Sequence, residues 1–321
     1  MRFVGAAVAL SIFFAACSSS PRGAAIRVIV PKGATFSAAT DSLHKAGLVG
    51  SKFLFKVYAR IKGTDRNIKP GTYLLKRGTP WPDIVGALHG GRGLVNTVTI
   101  PEGFAISQIV PLFARNLQIP ADSVTVAIRD TVLLKRLGIP GKTLEGYLFP
   151  DTYAFPIGTT ARQAVLELVK RFEREWKPEW NARLDSLGLN RHEVVALASI
   201  VEKEAKKADE RPVIAAVYLN RLRNKMLLQA DPTVQFALGK HTPRVLNKDL
   251  EIDSPYNTYK YPGLPPGPIA SPGGASLVAA LFPASVPFLY FVAAPDGHHE
   301  FRRTLDEHNI AVKAVRRAAP R

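Results

Sequence analysis

The chain has 321 residues, of which 46% are hydrophobic, 21% are charged and one is a cysteine. This composition is globular, and it excludes wholesale disorder, collagen-like repeats and an internal disulfide framework. Its 43 Lys and Arg against 26 Asp and Glu give a net charge of +17, which at first suggests a nucleic-acid partner. Residues 1–100 hold 14 Lys and Arg, three Asp and no Glu, so +11 of that charge belongs to this segment.

The first residues have the pattern of an export signal. Arg2 precedes an apolar run at 3–14, and small residues follow before Cys17. The run is shorter than the ~20 apolar residues that a membrane span needs. The residues before Cys17 resemble the bacterial lipobox, which implies lipid attachment at Cys17; an uncleaved N-terminal anchor is the alternative. Either way we expect a signal or lipoprotein anchor at 1–21 and an extracytoplasmic chain, with no nucleic-acid partner.

The segment 22–98 is predicted to be a small α/β module. Alternating apolar residues predict strands at 26–30, 71–75 and 94–100. Helical patterns, two of them opened by a serine able to cap a helix, predict helices at 37–46, 51–61 and 82–89. The turn residues at 101–103 follow the third strand, so we expect a domain boundary near residue 98.

The segment 99–321 is predicted to be a larger, helix-rich α+β domain. Apolar periodicity predicts helices at 106–116, 160–176, 191–208, 211–225 and 305–317. The stretch at 261–274 is too rich in Pro and Gly for a helix or a central strand. An apolar run at 286–293 predicts a buried strand. The predicted fold class is therefore α+β.

Several familiar sites are absent from the sequence. It contains no GxxxxGK[ST] or GxGxxG phosphate loop, no HExxH zinc motif and no GxSxG nucleophile elbow. The neighbouring His298 and His299 would point to opposite sides of a strand, so they are not expected to share a metal. We therefore expect no metal and no other cofactor.

Two glutamates, Glu202 and Glu204, lie in one predicted helix, about 200° apart around its axis. An apolar stripe on this helix is formed by Val194, Leu197, Ile200 and Val201. Glu204 continues the stripe, whereas Glu202 continues a smaller and more polar row. Partial desolvation at the end of an apolar stripe favours the protonated carboxyl, which suits a general acid. The alternative is that Glu202–Lys206 and Glu204–Lys207 are solvated surface pairs.

Seven blocks of sequence carry a more specific signal. They are 144–153 (LEGYLFPDTY), 198–204 (ASIVEKE), 219–222 (LNRL), 228–234 (LQADPTV), 256–259 (YNTY), 263–269 (GLPPGPI) and 290–293 (YFVA). In this order they resemble the MltG-type (YceG-like) family of endolytic murein transglycosylases. The resemblance runs from about Arg27 to the C-terminal helix.

The resemblance implies an endolytic peptidoglycan lytic transglycosylase, a carbon–oxygen lyase. Such an enzyme cleaves the β-1,4 bond between MurNAc and GlcNAc within glycan strands and leaves a 1,6-anhydroMurNAc end. It acts in cell-wall assembly, where it terminates nascent strands. The resemblance also implies that Glu204 is the single catalytic acid and base. An ordinary glycosidase needs two carboxylates, but here the C6 hydroxyl of the substrate replaces the second.

The matching blocks also supply candidate substrate-binding residues. These are Glu202, Asn220, Gln229, Asp231, Tyr256, Asn257 and Tyr259. The amide side chains can bond to sugar hydroxyl or acetamido groups, and the tyrosine rings can stack on sugars. Core packing is the alternative for each tyrosine, and a turn start is the alternative for Asp231.

The resemblance further implies a LysM-like N-terminal module and a YceG-like catalytic domain on the extracytoplasmic side of a bacterial envelope. The implied partners are peptidoglycan glycan strands, the membrane through the N-terminal anchor, and penicillin-binding-protein synthases. The alternative function is a non-catalytic murein-binding envelope lipoprotein that scaffolds synthesis enzymes. The basic excess of residues 1–100 is expected to face anionic lipid headgroups and acidic murein peptides.

Overall fold

The computed structural model describes residues 24–239 and 245–318. The expected signal or anchor segment, Cys17 included, lies outside them. Of the helices in the described ranges, none is both long and apolar enough to cross a membrane. The chain divides into two compact units between Asn96 and Thr97. The expected functions of the two segments, LysM-like and catalytic, stay predictions.

The first unit combines three helices with antiparallel strands. Its elements are β1 (Ala25–Val30), α1 (Phe36–Lys45), α2 (Lys52–Ile61), β2 (Gly71–Lys76), α3 (Trp81–Gly90) and the start of β3 (Leu94–Thr99). β1 pairs with β2 from Ala25 opposite Lys76 to Val30 opposite Gly71. β2 pairs with the first residues of β3.

The core of the first unit is small and rich in aromatic residues. Phe55 is fully buried, with its ring centroid 5.7 Å from that of Phe36 and 5.6 Å from that of Trp81. Thr35 and Ser51 cap α1 and α2 by accepting backbone N–H bonds in the first turn. Ser51 is therefore the predicted cap of α2, whereas the predicted serine cap of α1 at Ser37 is wrong: Thr35 caps this helix, which begins at Phe36.

The second unit begins within β3 and contains the remaining elements. They are α4 (Ile106–Leu117), α5 (Ala121–Ala127), α6 (Thr131–Arg136), β4 (Thr152–Pro156), α7 (Ala161–Glu175), α8 (Asn181–Leu187), α9 (Arg191–Glu204), α10 (Arg211–Arg223), α11 (Asp231–Ala237), α12 (Gly274–Leu281), β5 (Tyr290–Ala293), β6 (His299–Arg302) and α13 (Leu305–Ala318). β4 lies beside β3, and β5 pairs antiparallel with β6. This mixture of helix and strand confirms the α+β class.

Helix α9 runs through the core of the second unit. Nine of its 14 residues are buried, and it packs against α8, α10, α11 and α12. Asn190 and Glu193 form a capping box at its start. Because α9 is buried on every side, the predicted contrast between an apolar stripe and a polar row is wrong. Val195 and Ser199, in the row of Glu202, are both 0% exposed.

The end of α9 and the strand before residue 293 differ from the prediction. The helix ends at Glu204 rather than Ala208, because Ala205 adopts an extended conformation with ψ 114°. Good helix-forming residues follow Ala205, so no local signal marks this end. The buried strand predicted at 286–293 is restricted to its last four residues, Tyr290–Ala293, of which three are half-buried and Ala293 is exposed.

Candidate active site

Glu204 is the last residue of α9, and its carboxyl lies among polar side chains of neighbouring segments. Tyr218 of α10 donates a hydrogen bond from its hydroxyl to Glu204 Oε1, at 2.9 Å. Burial raises the pKa of Glu204 to about 7; the charge of Asp231 also raises it, while the Tyr218 hydrogen bond and Arg221 act in the opposite direction. The carboxyl is therefore partly protonated at neutral pH, as a general acid requires.

Tyr218 and Arg221 also belong to this site, although neither is predicted from the sequence. The Tyr218 ring is 1% exposed and packs edge-on against Phe291, with centroids 5.8 Å apart. Arg221 donates hydrogen bonds to the carbonyls of Leu289 at 2.7 Å and Leu228 at 2.8 Å. A spacing of three residues places Tyr218 and Arg221 on one face of α10. This spacing is the sequence signal for the two residues: Arg221 lies inside the block at 219–222, and Tyr218 lies directly before it.

Glu202 is turned toward helix α12. Its Oε2 accepts hydrogen bonds from Gly273 N at 3.0 Å and Ser276 Oγ at 2.8 Å, and its Oε1 lies 3.6 Å from Arg211 Nη2. The side chain is 7% exposed. Oε2 is thus bonded at the start of α12, where a negative charge complements the helix dipole, while Oε1 faces the first residue of α10.

The proposed surface pairs of the two glutamates do not form. Within residues 24–239 and 245–318, neither Glu202–Lys206 nor Glu204–Lys207 makes an ion pair. Both glutamates instead bond to side chains inside the second unit. The surface interpretation of this helix end is therefore wrong.

The side-chain amides of Asn220 and Asn257 donate hydrogen bonds to backbone carbonyls of nearby segments. Asn220 Nδ2 donates to the carbonyls of Val286 at 2.8 Å and Phe288 at 3.0 Å. Asn257 is 0% exposed, and its Nδ2 donates to two backbone carbonyls of the preceding segment, at 2.8 and 2.9 Å. In this arrangement the amide donors of both residues serve the backbone instead of the expected sugar groups.

Asp231 and Tyr259 form a polar rim next to Glu204. The Tyr259 hydroxyl donates to Asp231 Oδ1 at 2.6 Å. The negative charge of Asp231 adds to the burial that raises the pKa of Glu204, and Glu204 also interacts electrostatically with Tyr259. Burial, followed by this hydrogen bond, raises the pKa of Tyr259. Gln229, with φ of 53°, is exposed just before Asp231. The structure therefore brings Glu204, Asp231 and Tyr259 together, with Gln229 accessible nearby.

Tyr256 is placed differently from Tyr259. Its ring packs on Phe236 of α11, with centroids 4.8 Å apart, and the residue is half-buried. A side-chain carbon at Gly267 would lie 3.3 Å from the Tyr256 hydroxyl. The ring is thus part of the packing between α11 and the Pro- and Gly-rich loop.

Two of the sequence blocks meet at Gly146. This residue has φ of +82°, and a Cβ there would lie 2.4 Å from Pro268 Cβ. Glycine is required both by the left-handed backbone and by the close approach of the loop. The block at 144–153 is in this way fixed against the block at 263–269.

A cavity of about 660 Å³ lies beside these blocks. Its lining includes Glu145, Lys203, Gln108 and Phe236. Both oxygens of Glu145 accept from the backbone N–H of Ile106, at 3.1 Å, at the start of α4. Burial raises the pKa of Glu145 to about 7. No role is predicted for Glu145 from the sequence, where its position in the block at 144–153 is the only signal.

His298 and His299 contact different acidic residues. His299 opens β6 and lies 2.6 Å from Glu210 through its Nδ1, whereas His298 is exposed beside Asp296. In the described ranges, no three His, Cys, Asp or Glu side chains are placed to hold a metal ion.

Comparison with known proteins gives a consistent result over most of the chain. The profile of the YceG-like family matches residues 28–314. A protein of Bacillus subtilis (strain 168) named endolytic murein transglycosylase is 35% identical over 301 residues, which cover 89% of this chain and 83% of the relative. A protein of the same name from Streptococcus pneumoniae serotype 2 is 29% identical over 317 residues, covering 88% of this chain and 57% of the relative.

A solved structure is also similar. The crystal structure of a yceG-like protein from Listeria monocytogenes aligns with a TM-score of 0.65 and 34% sequence identity. The alignment covers 89% of this chain and 98% of the other.

Proposed function

Because this chain belongs to the YceG-like family, we propose that it is a peptidoglycan lytic transglycosylase with Glu204 as its general acid and base. The name of its relatives supports the substrate and the reaction class. The observation that supports the residue is the carboxyl of Glu204 at the end of α9, bonded to Tyr218 and with its pKa raised to about 7.

In the proposed reaction Glu204 donates one proton and then accepts another. Its protonated carboxyl donates to the glycosidic oxygen while the bond from C1 of MurNAc to that oxygen breaks. The carboxylate then accepts the proton of the C6 hydroxyl as the C6 oxygen bonds to C1. The products are a GlcNAc 4-hydroxyl and a 1,6-anhydroMurNAc end, and no water is consumed.

The neighbours of Glu204 have separate roles in this proposal. Tyr218 donates to Oε1 and so leaves Oε2 free to face the glycosidic oxygen. Asp231 places a negative charge near the reaction, which stabilises the positive charge that develops on the sugar ring. Tyr259 holds Asp231 in place by the 2.6 Å hydrogen bond. Gln229 is exposed at the same rim and is assigned a sugar contact.

Two other buried glutamates are weaker candidates for the acid. Glu202 is bonded through Oε2 to the start of α12 and faces Arg211 through Oε1. Glu145 has a pKa raised to about 7, but both of its oxygens accept from one backbone N–H. Among the three, Glu204 combines a raised pKa with an oxygen for which the structure gives no hydrogen bond.

The experiment is digestion of purified sacculi by Glu204→Gln, with the released ends identified by mass spectrometry. General-acid catalysis contributes about 10²- to 10⁴-fold, so we expect a loss of anhydro-ended fragments in that range. Glu193→Gln is the matched control: it lies on the same helix, and glutamine still completes the capping box. That control should keep wild-type activity.

Other outcomes would replace the proposal. Undiminished product from Glu204→Gln would reject this residue as the acid, and a selective loss with Glu202→Gln or Glu145→Gln would transfer the role. Released ends heavier by one water would indicate a hydrolase. Wild-type protein that sediments with sacculi and releases nothing would be the non-catalytic murein-binding lipoprotein.

The remaining assignments follow from the same proposal. A peptidoglycan substrate places the chain in a bacterial cell envelope, and the pattern at 1–21 supports a membrane anchor through Cys17 or an uncleaved segment. The first unit is proposed to be LysM-like and to bind glycan. Penicillin-binding-protein synthases are the proposed partners, as the family resemblance implies.

A further inference from the structure

Helix α2 carries an apolar face that the described residues leave uncovered. Phe53, Leu54, Val57 and Ile61 are 74%, 54%, 40% and 77% exposed. At 3.6 residues per turn these four side chains fall within an arc of about 100°. The opposite side of the same helix holds Phe55, which is 0% exposed in the core of the first unit. Helix α2 is therefore apolar toward both the core and the solvent.

This arrangement differs from ordinary surface exposure. Single exposed apolar residues are common on soluble proteins, but a contiguous patch indicates a binding surface. Four large side chains on one ten-residue helix form such a patch. The core does not require them, because Phe55 and Ala59 already fill the buried side of α2.

A row of basic residues borders the patch. Lys52, Lys56 and Arg60 are spaced four apart and follow the helix beside Phe53. Lys52 lies 3.0 Å from Asp41, and Arg60 lies 3.8 Å from Asp65, yet the cations are 49% and 85% exposed. Residues 24–96 hold 12 Lys and Arg against three Asp, so their net charge is 12 − 3 = +9. Pairing with acids leaves most of this charge unbalanced.

We propose that the exposed face of α2 is a docking surface for an anionic lipid membrane. An apolar arc flanked by Lys and Arg is the pattern of a helix that lies in the membrane interface, with its apolar side about 5–10 Å into the headgroup region. The basic row supplies complementary charge to anionic headgroups. This inference goes beyond the proposed enzymatic function and does not depend on it.

The sequence before the described residues favours the same partner. Whether the anchor is lipid on Cys17 or an uncleaved apolar run ending at residue 14, β1 begins at Ala25, at most 11 residues later. Such a linker spans at most about 40 Å. A first unit held within that distance of lipid encounters a membrane surface more often than any dilute partner, because tethering raises the effective concentration.

The experiment uses the full chain carrying Phe53→Trp, reconstituted in vesicles of phosphatidylglycerol and phosphatidylcholine. Brominated acyl chains in half of the samples quench a tryptophan that enters the interface. We expect the fluorescence gained over wild type to fall about twofold on brominated lipid. Val126→Trp, at a 73% exposed position of the second unit, is the matched control and should show no such loss.

A second chain tests the patch itself. Val57→Glu and Ile61→Glu, added to Phe53→Trp, change exposed positions only and should abolish the quenching without lowering the melting temperature. Equal emission from position 53 in plain and brominated lipid would overturn the proposal. Equal quenching in pure phosphatidylcholine would overturn the requirement for anionic lipid. A photocrosslinker at position 53 that captured a specific protein in intact cells, and no lipid, would assign the face to a protein partner instead.

Discussion

A glutamate serves as an acid at neutral pH only where its surroundings oppose ionisation, and Glu204 has several such surroundings. Burial has the largest effect on its pKa, and the negative charge of Asp231 adds to it. The position of Glu204 at the C-terminus of α9 acts in the same direction, because the helix dipole disfavours an anion there. Tyr218 limits the pKa by donating to the carboxyl, so the pKa stays near neutrality.

The raised pKa of Glu204 predicts a pH-dependent stability. Ordinarily this carboxyl has a pKa of 4.5, and in the folded chain it is about 7. Between these values the folded state binds more protons than the unfolded state, so the free energy of unfolding falls as the pH rises from 4.5 to 7. The loss contributed by Glu204 reaches up to about 3 kcal/mol at pH 8.

Glu204→Gln removes this titration while keeping an oxygen that can accept from Tyr218. We expect the variant to match the wild type in urea unfolding at pH 4.5 and to be more stable by about 1–3 kcal/mol at pH 8. Ser186→Ala, which removes an exposed hydrogen bond and no ionisable group, should differ from the wild type by the same amount at both pH values. A stability difference between Glu204→Gln and wild type that is the same at both pH values would contradict the raised pKa.

At the scale of elements, α9 and α12 are joined by one carboxylate. Glu202 of α9 accepts from Gly273 and Ser276 at the start of α12 and faces Arg211. The contact lies between two helices that pack along their lengths. Glu202 is therefore assigned to positioning α12.

The Glu202 contact predicts the effect of Ser276→Ala. This substitution removes a hydrogen bond to a buried carboxylate, so we expect the free energy of unfolding to fall by about 1.5–3 kcal/mol. Ser186→Ala, which loses an exposed hydrogen bond to the carbonyl of Arg183, should change stability by less than about 0.5 kcal/mol. Similar urea midpoints for the two variants would show that the Ser276–Glu202 bond contributes no more to the free energy of unfolding than an exposed hydrogen bond.

Elements with strong periodicity could be predicted from the sequence, and short ones could not. Helices α1, α2, α4 and α7 each have an apolar face, and their predicted bounds agree with the structure to within a residue or two. Helices α11 and α12 begin at Asp231-Pro232 and at Gly274, where the sequence suggests turns. Packing in the second unit, rather than propensity, makes these short segments helical.

For the site as well, the sequence predicts residue types but not the contacts that the fold gives them. Glu204 was a predicted acid from its block, and the raised pKa is consistent with that prediction. Its partner Tyr218 could not be identified, because the contact joins two helices through the tertiary fold. Asn257 was selected because amides bind sugars, but the same amide hydrogen-bonds equally well to backbone carbonyls. Only the fold distinguishes these uses.

At the scale of the whole molecule, the two units have separate cores. The first is centred on residues such as Phe55 and Tyr73, and the second on α9 and its neighbours. The boundary between Asn96 and Thr97 falls inside β3. Because the cores are separate, a destabilising substitution in one unit can unfold that unit while the other stays folded.

Phe55→Ala tests this independence. Removal of a fully buried phenylalanine costs about 3–5 kcal/mol, a large share of the stability of a unit this small. We expect hydrogen exchange to accelerate in α1, α2 and α3, whereas α9 keeps wild-type protection. Phe172→Ala, an equally buried change in the second unit, should reverse the pattern. Loss of protection in both units with either variant would show a single cooperative core.

The close approach at Gly146 also limits which substitutions such a chain can accumulate during evolution. A larger residue at 146 meets Pro268 at 2.4 Å, so a change in the first block is harmful unless the loop 122 positions later moves as well. Movement of that loop also disturbs Gly267, beside Tyr256 and His192. The two blocks therefore have to be inherited together, and a recombination point between them risks joining halves that do not fit.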